Sequence, residues 1–242
     1  MTATLLNSLL RALLRWGAAL VFCLPLRHRP HFWARACGML LPLLLLAQLL
    51  DPLAQSTTLW QQQLLLLVLY ISFFALLGGM IYLCTDINKK GAMYCAVWSL
   101  LIAQCAYEGW CFLELQFARY GHPLNMASPW AVLVQLLSGA VFFAAVYLLL
   151  ARQLPYKGEY HIGPRQLLSS FFIGSLFMVQ AAVLSDTSID SWPPSLVATL
   201  VTGQLYFLTL LYFQTELFKK SAMEKEMNAL NLLYEQIGRA HV

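Results

Sequence analysis

Charge is what this chain has least of: 15 Lys and Arg and 11 Asp and Glu make up 11% of 242 residues. A soluble domain of this length carries roughly a quarter, so too few charged side chains are present to cover a water-facing surface. Other absences narrow the function classes. The six cysteines, Cys23, Cys37, Cys84, Cys95, Cys105 and Cys111, form no C-x-x-C; lying in or beside apolar stretches, they read as small buried hydrophobes. No His-Glu-x-x-His occurs, which speaks against an intramembrane metalloenzyme. Gly78-Gly79 is not followed by Lys-Ser/Thr, so it is a close-packing pair and not a phosphate loop. No basic stripe with interleaved aromatics marks a nucleic-acid partner. Internal repeats and low-complexity segments are lacking too.

What is present is hydrophobicity, at 60% of residues and a mean hydropathy of +0.66. It comes in blocks of about 20 residues, the length of a membrane-crossing helix. Seven blocks can be drawn, at about 13–26, 34–53, 64–84, 93–113, 130–150, 166–184 and 195–217. A weaker amphipathic start precedes the first, from Leu5. Pro42 predicts a kink in the second block, and Pro193-Pro194 a cap before the seventh. The chain therefore reads as an all-α membrane protein of about seven transmembrane helices, with residues 1–217 as the membrane domain.

Charge sets the orientation. Arg27, Arg29, Arg35, Lys89, Lys90, Arg152, Lys157, Arg165, Lys219, Lys220 and Lys225 all fall on one side if every block spans. Arg119, and Arg11 and Arg15 near the N-terminus, fall on the other. The positive-inside rule puts the N-terminus outside and the C-terminus in the cytoplasm. Asp51, Asp186 and Asp190 lie in the outer connections, and Trp60, Trp130 and Trp192 at outer helix ends, where an aromatic belt belongs. Block one could be a signal peptide, but Val21 to Leu26 holds no small-x-small cleavage site, which favours a retained helix. The short outer connections leave no room for a folded extracellular domain.

Polar residues inside the blocks are the candidate site. Glu108 lies in block four with Gln104 one turn before it, and Glu114 follows. A carboxylate at mid-membrane costs roughly 3 kcal/mol on insertion scales, so Glu108 should face other helices. Two readings stay open: a ligand-sensing pocket of Glu108, Gln104 and Glu114, with Gln135, Gln180 and Gln204 from other helices, or hydrogen bonding that only holds the bundle together. His28 and His31 belong to a headgroup-facing basic cluster; His122 and His161 are isolated, and no metal set is evident.

Beyond block seven, residues 218–236 hold good helix formers and no Pro or Gly. Glu216 and Lys220 stand at i,i+4 with the acid first. Met223, Met227, Leu230 and Tyr234 follow 4-3-4 spacing, an a/d seam of under two heptads. A dimer seam and a solvated amphipathic exit helix both explain it. Residues 237–242 break the pattern and read as an adapter-derived tail.

An apolar multi-helix region ending in LFKKSAMEKEMNALNLLYEQ resembles the membrane sensor part of Firmicutes histidine kinases with a GHKL-type ATP-binding domain, relatives of the peptide-pheromone receptor kinases. The resemblance covers most of the chain, and its one specific motif is Phe218 to Glu224. It implies a homodimer in the bacterial plasma membrane, feeding a dimerisation and kinase core that uses ATP and magnesium and phosphorylates a response regulator. It also implies truncation before that core. The chain shows no phosphoacceptor or nucleotide-binding motif, so no catalytic residue and no cofactor is assigned to it. A small multi-pass transporter or permease subunit is the alternative.

Overall fold

The computed structural model describes residues 2–54, 59–119, 129–153, 163–185 and 194–240. Among these the chain forms seven α-helices: α1 (Thr2–Cys23), α2 (Phe32–Ala54), α3 (Leu59–Cys84), α4 (Lys89–Arg119), α5 (Pro129–Leu149), α6 (Pro164–Ser185) and α7 (Pro194–Ala240). A 3-10 turn, Ala151–Gln153, follows α5, and no strand occurs among the described residues. Among the described residues three segments are long and apolar enough to cross a membrane: Leu67–Cys84, Lys89–Glu114 and Trp130–Leu149. By length and composition these three have the character of membrane-spanning helices. A helix that satisfies its own backbone hydrogen bonds is the form such segments take in hydrocarbon.

Helix ends follow local chemistry. Asn88 caps α4, its Oδ1 accepting from the Gly91 N–H at 2.7 Å. Gln166 reaches back from the first turn of α6 to accept from the Gly163 N–H at 2.9 Å. Pro194 opens α7, where the missing N–H needs no partner. α2 continues through Pro42. α7 runs on to Ala240, past the Gln236 at which the sequence pattern ends.

α4 is the central helix. Its residues Tyr94 to Ala103 are buried, with α1, α3 and α6 packed around it and α5 alongside. Close approaches depend on missing side chains. A Cβ on Gly139 of α5 would come within 3.0 Å of Leu14 in α1, and one on Gly17 of α1 within 3.0 Å of the Phe143 ring. These two contacts also set direction: residues 14 and 17 meet 139 and 143 in the same order, so α1 and α5 run parallel. α6 and α7 run antiparallel. Phe177 meets Phe207 edge-on at 5.2 Å, and seven residues along each helix the Gln214 amide donates to Ser169 and Ser170, both at 3.1 Å.

One end of the bundle is tied by backbone. The α1–α2 and α3–α4 connections form an isolated antiparallel bridge at His28 and Thr85. The Arg29 N–H donates to Cys84 O at 3.0 Å and the Asp86 N–H to Arg27 O at 2.8 Å. His31 just beyond adopts a left-handed φ of 59°, which turns the chain into α2. We call this the bridged end; α1, α3 and α5 finish there, and α2 and α4 begin there.

Two expectations need correction. Arg11 and Arg15, counted among the outer-side charges near the N-terminus, do not lie at a free end of the chain. α1 begins at Thr2, and both arginines lie within it, facing neighbouring helices; Arg15 is 7% exposed. Counting charges by position cannot distinguish a terminal arginine from one on the inner face of a helix. Of the six cysteines, five are buried as expected, but Cys37 is exposed on α2.

Candidate functional site

Ser8, Arg11 and Arg15 recur at helical spacing on α1 and face the bundle. The matching face of α4 carries Gln104, Tyr107, Glu108, Cys111 and Glu114, again three or four residues apart. Burial of α1 against α4 brings the two sets together. The Arg11 guanidinium donates to the Tyr107 hydroxyl and stands 4.3 Å from the centre of that ring. Cys111, one turn along α4 from Tyr107, is buried on the same face. Gln104 donates from Nε2 to Glu108 Oε1 at 3.2 Å, one turn along α4. One turn further towards the bridged end, the Arg15 guanidinium lies 3.9 Å from the centre of the Phe73 ring of α3, a contact strongest when water is excluded.

Gln135 is buried on α5 at a similar level. Parallel packing puts it one turn before Gly139 and so level with Arg11, one turn before Leu14. Its side chain is 1% exposed, and neither Nε2 nor Oε1 has a hydrogen-bond partner among the described residues. The Trp110 indole nitrogen on α4 is likewise buried without one. Buried amides normally find partners. The Arg11 level lies 12 residues from the end of α1, roughly 18 Å from the bridged end at 1.5 Å per residue.

Of the sequence candidates, Glu108, Gln104 and Glu114 therefore share one helix face, all half-buried, and Gln135 sits at the same level from α5. Gln180 and Gln204 lie outside the described side chains, and His122 and His161 outside the described residues. Arg11, Arg15 and Tyr107 were missed. The 8-11-15 spacing marks one face of α1, but which way that face points is set by the packing of α1 on the bundle. Two guanidinium and two carboxylate groups balance the local charge, which is how ionisable groups persist within a helical bundle. Among the described residues no group of three His, Cys, Asp or Glu is arranged to hold a metal ion. The cluster offers hydrogen-bond donors and acceptors and both charge signs, without an activated nucleophile.

Gln135→Leu separates a ligand-binding role from a packing role. Replacing an unpartnered buried amide by an apolar group of similar size should raise stability by about 1–2 kcal/mol. Unfolding of the detergent-solubilised protein measures this. A loss of stability would mean that Gln135 already has a structural partner.

At the other functional end, Met223, Met227, Leu230 and Tyr234 all lie on α7 and are all exposed. The structure puts them on one uninterrupted helix with Gln214. Compared with family models, curated proteins and solved structures, the chain has no match.

Proposed function

We propose that this chain is the transmembrane sensor region of a bacterial two-component histidine kinase. All seven helices cross the plasma membrane in this reading, N-terminus outside and C-terminus inside. The observation that carries it is α7, one helix from Pro194 to Ala240. Its first part packs on α6 through Phe207 and Gln214; its last part presents the exposed Met223, Met227, Leu230 and Tyr234. A rod that begins among packed helices and ends in an apolar stripe is suited to carry a rotation or shift to a dimeric kinase core. Support for the orientation comes from the bridged end, where Arg27, Lys89 and Lys90 are exposed, as is Arg152 after α5. Trp130 is exposed at the start of α5, away from that end.

The stimulus binds in this reading at the Arg11, Tyr107, Glu108 and Gln135 level, opening outward. It biases a two-state arrangement of the bundle. ATP and magnesium belong to the core beyond this chain, as does the contact with the response regulator.

The test is the genomic reading frame past the codon for Gln236. It should enter a helix bearing a phosphoacceptor histidine and then an ATP-binding domain. A stop codon or a further apolar block there would overturn the assignment. The buried Arg15 and Gln135 favour a second reading, a small transporter, since polar groups within helices also line substrate paths. Flux of a small solute into proteoliposomes of this chain, lost in Gln135→Leu, would support that reading instead.

A further inference from the structure

The bridged end assembles a cationic surface to which the sensor reading gives no ligand. Residues 24–35 and 85–90 hold five Lys and Arg and one acid, Asp86. They are far apart in sequence; the His28–Thr85 bridge makes them one surface. The last turn of α3 positions two of the cations. The Arg35 guanidinium donates to Leu83 O at 2.8 Å, and the Arg29 guanidinium lies 4.9 Å from the centre of the Tyr82 ring. Asp86 neutralises little of this: its carboxylate is 3.9 Å from Arg29, and both side chains are solvent-accessible. Arg27, Lys89 and Lys90 are exposed. Beside them Trp33, in the first turn of α2, is 61% exposed.

Cations alone would suit any anion. An exposed indole at the rim of a lipid-crossing helix bundle selects one kind. Indoles settle at the boundary between headgroups and hydrocarbon, and Lys and Arg there attract anionic lipids. Guanidinium and ammonium groups also donate to phosphate oxygens. We propose that the paired α1–α2 and α3–α4 connections form a binding site for an anionic phospholipid. Arg27, Lys89 and Lys90 meet the headgroup phosphate. Arg29 and Arg35 extend the positive field from fixed positions, and Trp33 lies against the glycerol region. Neutral phosphatidylcholine is disfavoured because its choline cation would face the same five positive charges.

Native mass spectrometry of the purified chain in an equimolar mixture of phosphatidylglycerol and phosphatidylcholine tests this. Phosphatidylglycerol should be retained about tenfold over phosphatidylcholine, a preference consistent with several cations acting together. The triple variant Arg27→Gln, Lys89→Gln, Lys90→Gln should lose most of it. The charge-conserving Arg27→Lys, Lys89→Arg, Lys90→Arg variant should keep it, which separates lost binding from lost folding. Excess inorganic phosphate should not displace the lipid. Equal retention of the two lipids, or a preference that survives the glutamine variant, would overturn the site. Displacement by free phosphate would also overturn it, since the surface would then be a simple anion site.

Discussion

On the proposed sensor reading, Glu224→Pro should silence signalling while leaving the membrane region folded. Glu224 is exposed on α7, so no packing is lost, and the effect is confined to the backbone. Proline there removes the N–H that bonds to the carbonyl of Lys220 and clashes with that carbonyl, at a cost of about 3 kcal/mol. It also pushes Met223 out of the helical region. The break falls between Gln214, which ties α7 to α6, and Met227 in the exposed stripe. Autophosphorylation should fall to its unstimulated floor and cease to respond to stimulus. Disulfide cross-linking of copies carrying Met227→Cys should fall with it. If stimulated output and cross-linking both match the unmodified protein, the rod is not the route by which the signal leaves the membrane.

Trp98→Ala should be the most damaging single truncation in the bundle. Trp98 is 1% exposed within the buried stretch Tyr94 to Ala103 of α4, with its ring edge-on to Tyr94 at 5.8 Å. Truncating a buried tryptophan costs about 3–5 kcal/mol in a water-soluble core. Part of that figure is transfer out of water, which is missing when the unfolded helix still sits in lipid. The lost packing remains, because the cavity lining forfeits its contacts outright. The expectation is therefore the lower part of the range, about 3 kcal/mol. Denaturant-induced unfolding in mixed micelles measures it, with Trp98→Phe expected to retain more than half of the lost stability. A change in Trp98→Ala below about 1 kcal/mol would mean the bundle relaxes around the gap.

How much of this was legible beforehand differs by element. The positions of all seven helices could be drawn from apolar blocks alone, because a run of about 20 apolar residues has few alternatives to a helix in lipid. α4 extends further at both ends than its block, Lys89 to Arg119 against 93–113. Hydropathy marks what is immersed, whereas the helix itself starts at the Asn88 cap. The carboxylate side of the polar cluster was also legible, since Glu108 in an apolar block stands out. Its cationic side was not. Arg11 and Arg15 are close to the chain start, and only the packing of α1 on α4 shows that they point inward. Gln135 could be named but not placed, because its level depends on Gly139 meeting Leu14. The pairing of His28 with Thr85 left no trace in the sequence, because backbone bridges carry no side-chain signature.

That pairing has a mechanical consequence. Two backbone hydrogen bonds, Arg29 to Cys84 and Asp86 to Arg27, pin the two connections to each other like a rivet. α1 to α4 thus share a fulcrum. If they part at all, they part like the arms of tongs, further at the level where Arg11 meets Tyr107 than beside the rivet. A piston stroke of α1 along α4 would have to break both bonds or carry both connections with it, whereas a tilt about them breaks neither.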